Sequence, residues 1–275
     1  MRCIVHLSDL HFGRVDPALL APLRARVASM QPNLVVLSGD LTQRAKPAEF
    51  RQARAFLDTL PAPRLVVPGN HDVPLYNVFQ RFFQPLDKFR RYISPDLEPT
   101  HVDGEMAVVG INTARSSVFK GGRINEEQIA RVRGILCPLP VEVTKIVVTH
   151  HPFDLPPGHA SRELVGRARK AMQMFARCDA DILLSGHLHE SHASDTRLRY
   201  KIDGYAALVV QAGTATSTRG RGETNSFNVL RVSPRHIQIE RHVWKEPAFQ
   251  VEATESFDHD GKGWHGSDRR TAAAA

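Results

Sequence analysis

Five short apolar runs of this chain each end abruptly in histidine, aspartate or asparagine, and no other feature constrains the fold as tightly. IVHL runs into SDLH, with Asp9 and His11; NLVVLS runs into GD, with Asp40; RLVV runs into PGNHD, with Asn70, His71 and Asp72. KIVVTH carries on into His150 and His151, and ADILLS into GHLH, with His187 and His189. Runs so continuous in Val, Ile and Leu are expected of strands covered on both faces. In open α/β sheets the carboxyl ends of such strands share one edge, where ligands bind. The five clusters are therefore expected to converge.

The rest of the pattern agrees. MAVVGIN reads as a further strand. Asp16 and Pro17 suit an N-cap and first helical residue, and Leu19, Leu20, Leu23, Val27 and Met30 follow at helical spacing. Phe50, Ala53, Leu57 and Leu60 mark a second amphipathic helix, and residues 125–136 and 161–177 two more. ALVVQAG, SFNVLRV and HIQIERHVW are strand-like with no helix between them, which predicts an antiparallel addition. The expected organisation is one domain over residues 1–252, with an α/β core to about 190 and a β-rich end over 200–245. A disordered tail is expected over 253–275, where the chain turns polar and ends in RTAAAA.

Composition sets outer bounds. A hydrophobic content of 42% and a charged content of 24% are those of a globular protein. No apolar run approaches the roughly 20 residues of a membrane span. Three cysteines, an odd number with no paired spacing, predict free thiols and a reducing, cytoplasmic setting. The net charge of +7 favours anionic partners.

The spacings suit metal ligation. In an extended segment residues i and i+2 project to one side, so Asp9/His11 and His187/His189 can each aim a pair into one pocket. Gly39, Gly69 and Gly186 permit sharp exits from the strands. Imidazole, carboxylate and one amide without thiolate suit manganese, iron, zinc, cobalt or nickel. Asp9, His11, Asp40, Asn70, His150, His187 and His189 are too many for one open site, but two ions sharing a bridging carboxylate use them all.

The order D-x-H, G-D, G-N-H-D, H, G-H-x-H over residues 4 to 190 resembles that of the calcineurin-like metallophosphoesterases. The resemblance implies two mixed β-sheets in a sandwich flanked by helices, a four-layer α/β/β/α fold. It also implies that Asp9, His11, Asp40 and His189 hold one ion, and Asp40, Asn70, His150 and His187 the other, with manganese, iron or zinc the expected metals. His71 would then face the leaving group, supported by Asp72, while a hydroxide between the ions attacks a phosphodiester. GDLTQRA carries Gln43 and Ala45 where protein serine/threonine phosphatases have Asp and Gly, and GNHD follows. That is more similar to the small bacterial branch with class III cyclic-nucleotide phosphodiesterases, glycerophosphodiesterases and UDP-diacylglucosamine hydrolases. The expected partner is a phosphate ester rather than a stable nucleic-acid complex, and a complete ligand set argues against a non-catalytic scaffold.

Candidate substrate contacts are His151, Asn112 and Arg115 of GINTAR, and Arg219 and Arg221 of STRGRGE, because arginine can grip a phosphate with two parallel hydrogen bonds. VPLYNVFQRFFQPLDKFRRYI, residues 73–93, admits two readings. One is a helix that buries Phe79, Phe82, Phe83 and Leu86 on the sheet, interrupted at Pro85. The other is a basic, aromatic cap suited to an acyl-bearing ester or to an anionic membrane surface, such as a peripheral site at the inner membrane.

Overall fold

The continuous apolar strands are indeed covered on both faces, by each other and by helices. The computed structural model describes residues 1–117, 121–219 and 222–271. One sheet comprises β1 (Arg2–Leu7), β2 (Leu34–Ser38), β3 (Arg64–Val67), β10 (Ser226–Ser233), β11 (His236–Lys245), β12 (Ala248–His259) and β13 (Trp264–Thr271). The other comprises β4 (Thr100–Val102), β5 (Met106–Gly110), β6 (Thr144–Val148), β7 (Ile182–Ser185), β8 (His192–Asp195) and β9 (Leu208–Gln211). Their strand orders are β13-β12-β11-β10-β1-β2-β3 and β4-β5-β6-β7-β9-β8. β1, β2 and β3 run parallel, as do β5, β6, β7 and β9, while β10 joins β1 antiparallel, so both sheets are mixed.

Alternation along each strand divides the core. Ile4, Val36 and Val67 of the first sheet meet Val108, Ile146 and Leu184 of the second in a buried layer between the sheets. The intervening Val5, Leu7, Val35 and Leu37 pack outward on α1 (Pro17–Ser29), α2 (Pro47–Leu57) and the segment that holds α3 (Val78–Phe83) and α4 (Asp87–Tyr92). On the far side Val109, Val147 and Val209 pack on α5 (Glu126–Leu136) and α6 (Ala168–Arg177). The four layers match the architecture that the resemblance implied. Helix α1 begins where its sequence says it should, with the Asp16 side chain accepting from the Ala18 N–H and Pro17 in the first turn.

Four expectations need correction. Residues 253–271 are not a disordered tail: β12 and β13 pair antiparallel at the edge of the first sheet, and Phe249, Ala253, Phe257 and Trp264 are buried. Their polar outward faces gave the stretch the composition of a tail. Residues 161–177 are not one helix, because a 3₁₀ turn at Ser161–Glu163 is separated from α6 by Arg167 at a left-handed φ of 68°. Cys137 and Cys178 are joined in a disulfide although 41 residues apart, because each caps the end of a helix on the same sheet face. The free-thiol expectation, and the reducing compartment argued from it, lose their premise; only Cys3 is a free, buried thiol among the described residues. Finally, Phe79, Phe82 and Phe83 point away from the core, which takes Val73, Leu86, Phe89 and Ile93 from residues 73–93.

Candidate metal centre

The loops after β1, β2, β3, β6 and β7 meet at one end of the sandwich. Asp9, His11, Asp40, His187 and His189 all adopt left-handed backbones, with φ of 53°, 51°, 52°, 75° and 61°. Non-glycine residues in that region cost free energy and cluster where a site demands it. The i, i+2 pairs therefore converge through tight left-handed turns, not through the extended segments expected from spacing. The turns are tied together by backbone bonds from Asp9 N–H to the Gly39 carbonyl and from His11 N–H to the Asp40 carbonyl. Glycine is obligatory at positions 39, 69 and 186, where a Cβ on Gly186 would overlap Ser8 Oγ. A Cβ on Gly69 would overlap the Asp40 carboxylate, and one on Gly39, at φ +91°, would meet His150 Nδ1 at 2.7 Å.

Two lobes share Asp40. In the first, His11 Nε2 and His189 Nε2 lie 3.0 Å apart, and Asp9 Oδ1 is 3.5 and 3.2 Å from them. In the second, His150 Nε2 is 3.0 Å from Asn70 Oδ1 and 3.3 Å from His187 Nδ1. Asp40 Oδ2 stands between the lobes, 3.8 Å from His11 Nε2 and 3.3 Å from His150 Nε2. Ligand atoms of Asp9, His11, Asp40 and His189 all lie within 4.8 Å of one another, as do those of His150, His151 and His187.

Surrounding groups aim these atoms inward. Asp9 Oδ2 accepts from Ser8 Oγ and from His187 N–H, which leaves Oδ1 buried and without a hydrogen-bond partner. His150 and His189 each present Nδ1 to a backbone carbonyl, of Ser38 at 2.8 Å and of Arg219 at 3.2 Å. With one proton held at Nδ1, Nε2 faces the cluster, where a metal ion would take the place of a second proton. An orphaned carboxylate oxygen among converging imidazole lone pairs fits metal ions.

The electrostatics agree. Burial alone would raise both carboxyls, yet His189 and His11 hold Asp9, and His150 and His71 hold Asp40, well below the usual carboxylate range. Burial opposes a proton on His150, but Asp40 outweighs it and pushes the imidazole up to about 9. His187, with burial and His150 both against it, is pulled down to about 3. The two carboxylates thus draw positive charge into a buried pocket.

The remaining candidates separate. His71 gives Nδ1 to the Gln43 carbonyl at 2.9 Å, and its Nε2 lies 3.2 Å from Arg219 Nη1, which also reaches Gln43 Oε1 at 3.3 Å. Asp72 does not support His71, contrary to expectation. Its buried carboxylate accepts from the N–H groups of Leu41, Thr42 and Gly69 and from Thr42 Oγ1, binding the loop after β2 to the loop after β3. Burial and the neighbouring Asp40 push its carboxyl up to about 6.

His151 follows the end of β6, so strand alternation does not turn it away from His150. The two rings lie 4.9 Å apart, and His151 also packs on His187 at 4.7 Å. Its Nδ1 meets Thr113 Oγ1 at 2.8 Å, and its buried Nε2 has no partner. Asn112 and Arg115 are not brought to this site. They line a separate cavity with Glu98, Asn125 and Arg131, where the Arg115 guanidinium donates to the Asn112 and Ala114 carbonyls and to Gln128 Oε1. Arg221 lies outside the described residues. Sequence reasoning gave Gln43 and Thr113 no role in the site, although each sits within three residues of a residue it selected.

Known proteins place this arrangement in context. The chain is 25% identical to a cAMP/cGMP dual specificity phosphodiesterase of Mycobacterium tuberculosis over 84% of its own length and 76% of that protein. It is 37% identical to a UDP-2,3-diacylglucosamine pyrophosphatase of Chlamydia muridarum over 26% of its length and 23% of that protein. Against several curated relatives the match is local and spans only 23–31% of their length. A dimetal phosphatase from Danio rerio shares the fold, with a TM-score of 0.65, 12% identity, and coverage of 91% of this chain and 98% of that one. The calcineurin-like phosphoesterase profile matches residues 4–191, and the chain belongs to that family.

Proposed function

We propose that this chain is a dinuclear metal-dependent phosphoesterase that hydrolyses phosphodiesters. One observation carries the reading: Asp40 Oδ2 stands between two ligand clusters, 3.3 Å from His150 and 3.8 Å from His11. Asp9, His11, Asp40 and His189 would hold one transition-metal ion, and Asp40, Asn70, His150 and His187 the second. Bound there, such ions supply charge neutralisation at a phosphoryl group and an activated water near neutral pH.

The chain's own residues supply the rest. Arg219 puts a guanidinium at the rim, steadied by His71 Nε2 and Gln43 Oε1, where it can donate to phosphoryl oxygens. With its proton at Nδ1, held by the Gln43 carbonyl, His71 faces Arg219 as an acceptor. The geometry therefore supports His71 as the residue that orients Arg219, ahead of the leaving-group acid implied by the resemblance. The unpartnered Nε2 of His151 is a further group that can meet the phosphoryl oxygens or the attacking water.

The function is tested by reconstituting the metal-free chain with manganese, iron or zinc and assaying bis(p-nitrophenyl) phosphate, cyclic nucleotides, glycerophosphodiesters and UDP-diacylglucosamine. Absence of metal-dependent hydrolysis on every diester would overturn the reading. His71→Ala separates the two roles. An orienting residue loses similar activity on activated and unactivated esters, whereas a leaving-group acid loses far more on the unactivated ones.

A further inference from the structure

Helix α3 is built inside out. Arg81 is only 3% exposed, and its guanidinium is turned inward to the carbonyls of Ser116, at 2.8 Å, and Pro74, at 3.1 Å. The apolar residues take the opposite side: Phe79 is 64% exposed, Phe82 52% and Phe83 73%, with Tyr76 at 77% and Val78 at 66% just before them. Soluble surfaces seldom gather such a patch without a partner for it. The orientation is held in place by several contacts. The Asn77 side chain caps the helix at Gln80 N–H, and the following α4 is anchored through Phe89, edge-on to the buried Phe50, and Tyr92, stacked on it.

Cations flank the aromatic ridge. A cavity of about 580 Å³ opens beside it, lined by Gln80, Lys88, Arg90, Arg91 and Tyr92, with Asp87 its one carboxylate. The ridge also adjoins the metal centre: Arg44 lies over the Tyr76 ring at 5.4 Å, and the preceding residue, Gln43, holds His71. Aromatic groups beside arginine and lysine match the interface of an anionic bilayer, where rings enter the headgroup region and cations meet lipid phosphates. No helix among the described residues is long and apolar enough to cross a membrane. A second copy of the chain fits less well, because a two-fold interface sets the same patch on both sides, with Lys88, Arg90 and Arg91 against Asp87 alone.

We propose that Tyr76, Val78, Phe79, Phe82 and Phe83, with Lys88, Arg90 and Arg91, dock this protein on anionic phospholipid surfaces and present its metal centre to lipid-borne phosphodiesters. The choice of substrate rests on the phosphodiesterase reading; the docking does not, and it is measured without catalysis.

The test is co-sedimentation of the full chain with phosphatidylcholine vesicles, with and without phosphatidylglycerol. Binding is expected only to the anionic vesicles, and salt should weaken it. Phe79→Ser/Phe82→Ser/Phe83→Ser and Arg90→Glu/Arg91→Glu should each lower it about tenfold or more. Both variants should keep wild-type turnover of bis(p-nitrophenyl) phosphate, since neither touches the metal centre. The proposal falls if the wild type ignores anionic vesicles, or if the variants bind them equally well. It also falls if sedimentation shows a dimer that the triple serine variant dissolves. Vesicle binding without any diester hydrolysis would instead overturn the phosphodiesterase reading and leave the docking intact.

Discussion

Asp40→Asn is the most searching perturbation of the proposed metal centre, because it removes charge while keeping shape. Asp40 Oδ1 accepts from His71 N–H at 2.8 Å, and an amide oxygen can keep that bond, so the loop after β3 should hold its place. What changes is Oδ2, at 3.3 and 3.8 Å from the inner nitrogens of the two lobes. Unit charges about 4 Å apart interact by about 4 kcal/mol at an effective dielectric of about 20, which corresponds to roughly a thousandfold in affinity. Both ions should therefore bind about 10³-fold more weakly or not at all. Asn70→Ala should weaken only one, since Asn70 Oδ1 meets only the His150 lobe. The assay is metal content per chain by plasma mass spectrometry after gel filtration, with manganese titration calorimetry on the metal-free proteins and circular dichroism to confirm folding. Two ions retained by Asp40→Asn at unchanged affinity would refute the shared carboxylate. Equal losses in both variants would refute the division into two lobes.

Three other outcomes test the scaffold. Asp72→Ala strands three buried N–H groups and a hydroxyl, so it should cost about 3 kcal/mol or more in urea unfolding; unchanged stability with lost activity would return Asp72 to a catalytic role. The Cys137–Cys178 disulfide closes a span of 41 residues, for which chain entropy gives about 4 kcal/mol. Cys137→Ser, or reduction, should lower the melting temperature by several degrees, and identical melting with and without reductant would show that no bond forms. Hydrogen bonding to His242, together with Arg231, holds Glu240 down at about 2, so the folded carboxylate binds its proton less readily than the unfolded one. Its contribution, about 1–3 kcal/mol, is full above the ordinary glutamate range and fades as pH falls from about 4.5 towards 2. The stability gap between wild type and Glu240→Gln should close over that window, and a gap independent of pH would discount the pairing.

The candidate metal centre was legible because its proposed ligands sit at strand ends, and strands covered on both faces announce themselves through unbroken Val, Ile and Leu. Chain order alone then brings Asp9, Asp40, Asn70, His150 and His187 to one edge. What spacing could not convey was backbone conformation. Asp9, His11, His187 and His189 looked like extended pairs, yet they converge through left-handed turns that only neighbouring loops can impose. Contacts between distant segments were equally hidden. Nothing near Asp72 in the chain says that its carboxylate will serve Leu41 and Thr42, and Cys137 gives no local hint of Cys178.

The segment from Tyr76 to Ile93 shows the deeper limit. Helical spacing reveals that Phe79, Phe82 and Phe83 share a face, but a periodic pattern has no preferred direction in space. Direction is decided by whichever contact is harder to replace. In α4 that contact is apolar, and Phe89 turns onto Phe50. In α3 it is polar: Arg81 finds buried carbonyls at Pro74 and Ser116. An unpaired guanidinium in the core would be costly, whereas exposed phenyl rings forgo only their burial. Arg81 thus sets the orientation, and the aromatic face is left outward beside the metal centre.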